Sequence, residues 1–173
     1  TALTLRGAGP EDVVRAAAAE IADSERVATA NVEPADLAGA AVTDVMHLLA
    51  ELIENAVRYA PAEARVRVTG RRGPDQYVIT VTDHGPGMSQ EDLQSAAEVI
   101  RDPTPPATDA WWGFHTAGRL AQRCGISIRL RNGDDDGLVA TVSVPATLIT
   151  DSAGLTGEEA LVRDIGAGIE RPD

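Results

Sequence analysis

Apolar residues recur along this chain with two periods, and the changes from one to the other lay out its elements. From Glu11 to Ala22, Val13, Val14, Ala17, Ala18 and Ile21 share one face at helical spacing. Pro10 and the acidic pair Glu11–Asp12 stand where a helix start favours them. Val27 to Val32 reads as a short strand. A second helix is predicted from Thr43 or Asp44 to Arg58, stopping at Ala60–Pro61 because the residue before proline avoids the helical region. Two alternating runs follow, Arg65–Thr69 and Tyr77–Thr82, with Arg71–Asp75 between them as a hairpin turn. Asp83 to Gly87 breaks the second strand, and Ser89, with Asp92 three residues on, is placed to cap a short helix ending at Ile100.

Residues 101 to 110 carry three prolines and almost no large apolar side chain, which predicts a mobile loop. A helix from about Phe114 to Arg123 should stop at Gly125. Ser127–Arg131 and Leu138–Val144 are then two more strands joined by a turn that begins Asn132–Gly133. Beyond Pro145 the composition drifts to Gly, Asp and Glu, and a weakly ordered tail is expected. Long helices on one face of a mixed, mostly antiparallel sheet make an α/β sandwich. The expected organisation is a linker over 1–10, one domain over 11–149 and an acidic tail over 150–173.

Charge narrows the partners. Fifteen basic residues face 27 acidic ones, for a net charge of −12, which argues against nucleic acid or an anionic membrane as the main partner. All fifteen basic residues are Arg. Any cation on a phosphate must therefore be Arg or a backbone N–H, and a phosphate loop of the lysine-dependent kind is excluded. One cysteine, Cys124, cannot form an internal disulfide, which fits a reducing cytoplasm. No run of about 18 apolar residues is present to span a membrane. The start at Thr1 without Met reads as the start of an excised piece.

Three segments can carry chemistry. In Glu51-Leu52-Ile53-Glu54-Asn55-Ala56-Val57-Arg58-Tyr59, helical spacing puts Glu51, Asn55 and either Arg58 or Tyr59 toward one cleft. Leu48, Leu49, Leu52, Ile53 and Ala56 then face the core. A carboxylate, an amide oxygen and a cation on one stripe suit Mg²⁺ and phosphate oxygens, though the same stripe also reads as a solvated helix face with ordinary ion pairs. Asp83-His84-Gly85-Pro86-Gly87-Met88 follows a strand, where glycines allow close approach to a ligand and Asp83 can accept from an exocyclic amine; it also reads as a plain turn. Gly113-Phe114-His115-Thr116-Ala117-Gly118-Arg119 opens a helix, either as an anion site or as a closely packed helix start.

Taken in order, an Asn-bearing helix, a D-x-G-x-G turn, a proline-rich loop and a Gly-led helix resemble the GHKL superfamily. That superfamily contains the Bergerat-fold ATPase domains of gyrase, the heat-shock chaperone, histidine kinases and mismatch-repair proteins. His47 to Ala56 and Gly118-Arg119-Leu120-Ala121 look most like the catalytic domains of actinobacterial sensor histidine kinases, and the likeness runs from about Val13 to Leu148.

The resemblance implies an ATP-binding catalytic domain of a two-component sensor kinase. Such a domain transfers the γ-phosphate to a histidine on a separate dimerisation domain and meets a response regulator only indirectly. It implies Mg²⁺ on Asn55 with help from Glu51, which is also the residue that would activate water in hydrolysing cousins. Arg58 would meet a phosphate, and Tyr59 would lie by the adenine. Asp83 would accept from the adenine amine, with Gly85, Gly87 and Met88 shaping the pocket and Gly113, Phe114 and His115 forming the lid contact. A cytoplasmic place without direct membrane contact follows. His47, His84 and His115 all lie in other settings than a phosphoacceptor helix. Two departures stand out: Trp111-Trp112-Gly113 replaces the usual G-x-G, and Gly137-Leu138 replaces Gly-Thr. They leave two further readings, a nucleotide- or partner-binding regulatory domain without turnover and an anti-sigma-type serine kinase.

Overall fold

The computed structural model describes residues 9–102, 104–106, 111–134 and 137–150. In chain order the elements are α1 (Pro10–Ala19), β1 (Val27–Val32), β2 (Asp36–Leu37), α2 (Gly39–Tyr59), β3 (Val66–Arg72), β4 (Gln76–Thr82), α3 (Gln90–Arg101), α4 (Trp112–Cys124), β5 (Ser127–Asn132), β6 (Leu138–Pro145) and β7 (Ile149–Thr150). Five strands form one sheet in the order β1-β3-β4-β6-β5, while β2 and β7 pair separately. Only β1 and β3 run parallel in the large sheet. They are joined through α2, the kind of crossover a parallel pair needs. The mixed, mostly antiparallel α/β sandwich expected from the sequence is what forms.

Alternation decides which side of the sheet the helices cover. Val66 and Val68, Tyr77, Ile79 and Val81, and Ala140, Val142 and Val144 are all buried, so they share the face that meets the helices. The intervening Thr69, Thr80 and Thr141 stand in register with one another on the opposite, more open face. Opposite the sheet, α2 contributes Val45, Leu48, Leu49, Leu52 and Ile53, each at most 2% exposed. Burying one such side chain stabilises the fold by roughly 1.5–3 kcal/mol. That fixes the rotation of α2, and hence where its polar stripe points.

The element ends show which local signals prevailed. The first helix starts at Pro10 rather than Glu11 and ends at Ala19. The second helix starts at Gly39, five residues before the expected Asp44. No side chain caps it; burial of Ala41 and Val42 draws the first turn in, and the Ala41 N–H donates to the Ala38 carbonyl. At the other end of the chain, Ala146–Leu148 forms a 3-10 turn and Ile149–Thr150 pairs with Asp36–Leu37, so ordered structure continues past Pro145. The rest of the expected tail, 151–173, lies outside the described residues, as do 1–8 of the linker and 103 and 107–110 of the proline-rich loop. The Ser89 cap holds: its hydroxyl accepts from the Asp92 N–H at 3.1 Å. So does the glycine stop, since Gly125 takes φ 70° and leaves the helix in the left-handed region.

Candidate functional site

The polar stripe of α2 meets the start of α4. Asn55 is 5% exposed, one of few polar residues in the interior, and among the described residues its Nδ2 has no hydrogen-bond partner. Such an atom is costly to bury unless a ligand completes it. Its carboxamide lies against Gly113, where a Cβ would come within 2.8 Å of Nδ2 and 2.9 Å of Oδ1. A glycine at the head of α4 is therefore what lets the two helices close on the amide. Glu51, one turn earlier, is half-buried. Burial first, then the neighbouring Glu54, pushes its carboxyl above the usual 4.5, against the pull of Arg58 and His47. Arg58 is exposed and 3.7 Å from Glu54.

The second segment folds around one carboxylate. Asp83 is 3% exposed. Its Oδ1 accepts from the Gly85 N–H at 2.8 Å and from the Leu138 N–H at 2.9 Å. Among the described residues its other oxygen takes no hydrogen bond, so the carboxylate keeps acceptor capacity for a ligand. His84 turns through φ 57° with its Nδ1 3.0 Å from the Arg65 carbonyl, and Gly87 follows at φ 75°. The chain also packs tightly against the β5 end. Asn132 accepts from the Met88 N–H at 2.9 Å and donates to the Met88 carbonyl at 2.7 Å, and a Cβ on Gly87 would meet its side chain at 2.6 Å.

Two neighbouring cavities result. One, of about 280 Å³, is lined by Tyr59, Asp83, Gly87, Met88, Trp111 and Leu138, among others. The other, of about 350 Å³, is lined by Glu51, Glu54, Asn55, Arg58, Trp112 and Gly113, with Thr116. Both sit near the bottom of the ~300–1,000 Å³ range of small-molecule sites, so each suits a part of an extended ligand. The first offers flat apolar walls and an acceptor; the second offers charges and an amide. A larger cavity, of about 900 Å³, lies over Asn31, Glu33, Thr69 and Arg71, on residues outside all three segments. Size alone would favour it; the orphaned amide and the buried carboxylate point to the smaller pair.

Arg58 and Tyr59, left open as alternatives by the helix spacing, thus line different cavities. Gly85 packs beneath the first, where a Cβ would stand 3.1 Å from the Tyr59 carbonyl and 3.3 Å from Asp83. Phe114 is 1% exposed and His115 is buried; both point inward and line neither cavity. Phe114 supports the Trp111 ring, with centroids 5.7 Å apart, and Trp112 meets His115 edge-on at 5.4 Å.

Two supporting residues escaped the sequence reading. Arg26 donates to the carbonyls of Val57, Ala60, Pro61 and Ala64, with the shortest bond 2.7 Å to Pro61, and so ties down the end of α2 that carries Arg58 and Tyr59. Asn132 holds Met88. Asn132–Gly133 carried a turn signal, which hid the second role; nothing local to Arg26 distinguished it from other arginines.

Known proteins share this fold. The family model described as histidine kinase-, DNA gyrase B- and HSP90-like ATPase matches residues 40–148. The sensor protein QseC of Escherichia coli K12 is 34% identical over 97 residues, 56% of this chain and 21% of that protein. The sensor protein kinase CarS of Pseudomonas aeruginosa is 28% identical over 102 residues, 59% of this chain and 22% of that protein. The chain thus spans about a fifth of the length of these relatives. Among solved structures, the mycobacterial sensor histidine kinase MprB superposes with a TM-score of 0.64 at 15% identity, covering 80% of this chain and 96% of that one. The catalytic domain of histidine kinase ThkA gives 0.61 at 16% identity, covering 80% and 94%. The chain belongs to the histidine kinase-, DNA gyrase B- and HSP90-like ATPase family, as an ATP-binding domain homologous to part of the sensor kinases.

Proposed function

We propose that this domain binds Mg·ATP across the two cavities and transfers the γ-phosphate to a histidine of a separate dimerisation domain. The observation that carries the reading is the pairing of the buried Asp83 acceptor in one cavity with the orphaned Asn55 amide in the next. The domain proper is taken as residues 11–149 together with Pro10.

Adenine fits the first cavity. Its exocyclic amine donates to the Asp83 carboxylate, which Gly85 and Leu138 hold in place through Oδ1. Tyr59 and Met88 supply apolar contact, and Gly85 and Gly87 keep the wall free of side chains. The phosphates fit the second cavity, beside Arg58 and the start of α4. Among the described residues no side chain caps that helix, and its first turn holds no acidic residue, which suits an anion. Phe114 and His115 act from beneath, fixing the lid helix.

The residues suit Mg²⁺. Among the described residues, no three His, Cys, Asp or Glu side chains cluster to hold a metal by themselves. Mg²⁺ characteristically takes one or two protein oxygens and completes its shell with phosphate and water. Asn55 and Glu51 would supply those two. Glu51 and Glu54 by themselves would repel a polyphosphate; a divalent ion held there would offset that repulsion and supply charge neutralisation at the phosphates. Burial pushes the Glu51 carboxyl above the usual carboxylate value, and its place beside Asn55 sets it next to the phosphates.

No helix among the described residues is long and apolar enough to cross a membrane. A cytoplasmic place within a larger sensor, with a response regulator as the eventual acceptor, completes the proposal. The test is transfer of label from γ-labelled ATP within the parent kinase, with Asn55→Ala as the control. Acid-labile, base-stable label lost in the variant supports histidine transfer. Nucleotide binding without label would favour a regulatory domain, and acid-stable label on serine would favour a serine kinase.

A further inference from the structure

Consecutive indoles fall one in each half of the site. Trp111 lines the cavity of Asp83, with Tyr59, Met88 and Leu138 as its other large walls. Trp112 lines the cavity of Asn55, Glu51 and Arg58. Their surroundings differ. The Trp111 ring rests on Phe114 at 31° between planes, and Phe114 is itself in the core, so this indole is backed from behind. Trp112 is 44% exposed and meets the His115 ring edge-on.

A small cavity with a supported aromatic face, a thioether and a buried carboxylate acceptor matches a flat heteroaromatic ring that carries an amine. The neighbouring cavity, with two carboxylates, an arginine and an amide, matches a metal-bound polyphosphate, and its indole, Trp112, is the more exposed of the two.

We propose that Trp111 is a base-binding residue: its indole is the wall on which the purine ring stacks, while Trp112 lies beside the polyphosphate and does not hold the base. The inference rests on the nucleotide reading of these cavities and adds a contact that glycine at this position could not make. Stacking of a base on an aromatic side chain corresponds to about a 5- to 150-fold change in affinity on truncation to alanine.

The chain has two tryptophans, so fluorescence separates them. Trp112→Phe leaves Trp111 as the sole indole, and Trp111→Phe leaves Trp112. Each is titrated with Mg·ATP and with Mg·tripolyphosphate, which has no base. Trp111 emission should respond to ATP and not to tripolyphosphate; Trp112 emission should respond to both. By calorimetry, Trp111→Ala should weaken ATP about 5- to 150-fold, with Trp111→Phe retaining most of the affinity. Trp111 emission indifferent to saturating ATP overturns the proposal without needing the alanine variant to fold. Unchanged or tighter ATP binding by Trp111→Ala also overturns it, the tighter case showing that the indole occupies the place of the base. A parent domain that binds no ATP would sink the nucleotide reading and the wall with it; a binding parent with an indifferent Trp111 removes the wall alone.

Discussion

The Asn55 carboxamide is in van der Waals contact with the backbone of Gly113, so closely that a Cβ there would stand 2.8 Å from Nδ2 and 2.9 Å from Oδ1. The helices α2 and α4 are therefore seated on each other at one glycine. Gly113→Ala should force them apart, with an overpacking cost of about 1–3 kcal/mol in stability and weaker Mg·ATP binding. Thermal unfolding and calorimetry read the two effects. In the double variant with Asn55→Ala the stability cost should shrink, because the alanine removes what the methyl strikes; strictly additive costs would contradict the contact.

Asp83 serves the fold and the ligand with different oxygens. Asp83→Asn keeps an Oδ1 that accepts from Gly85 and Leu138, but places an NH₂ where the adenine amine needs an acceptor. ATP affinity should fall by about 10- to 150-fold, the equivalent of a charge-assisted bond of about 1.5–3 kcal/mol, with little change in unfolding temperature. Asp83→Ala should also destabilise, since two backbone N–H groups lose their acceptor. Equal affinities for parent and Asn variant would place the base elsewhere.

Arg26 caps the end of α2 through four carbonyls with a side chain only 17% exposed. Arg26→Ala should cost roughly 2–3 kcal/mol on denaturant unfolding, and Arg26→Lys should recover little, because an ammonium cannot span the fork of carbonyls. Full rescue by lysine would show that charge, and not the planar fork, matters there.

The raised pKa of Glu51 gives a pH dependence of known sign. Below the usual 4.5 the carboxyl is protonated folded or unfolded, so its burial carries no charge penalty. As pH rises through its higher folded value, the ionised form opposes folding, and stability is lost. Glu51→Gln should therefore unfold at a higher temperature than the parent at about pH 7, with the difference vanishing toward about pH 4. An equal difference at both pH values would mean that packing, not ionisation, is responsible.

Much of this was legible where the signal was local. The strand Val27–Val32, the Ser89 cap and the Gly125 stop all depend on neighbours within a few residues, and each forms as the sequence suggests. Helical spacing pointed Glu51, Asn55 and either Arg58 or Tyr59 toward one cleft; Arg58 lines the cavity of Glu51 and Asn55, and Tyr59 the other. The start of α2 at Gly39 was hidden because burial of Ala41 and Val42, not a cap, sets it. Arg26 and Asn132 act across 31 and 44 residues of chain, beyond what any local pattern encodes. Motif position put Phe114 and His115 at ligand contact, and both are buried in α4.

The most direct test of a nucleotide site spanning both cavities is calorimetric titration of this domain with Mg·ATP, beside Asn55→Ala under the same conditions. Micromolar to sub-millimolar binding, in the range of about −8 to −4 kcal/mol, that weakens at least about tenfold in the variant is the expected result. ATP binding that Asn55→Ala leaves untouched, or no binding by the parent, would contradict it.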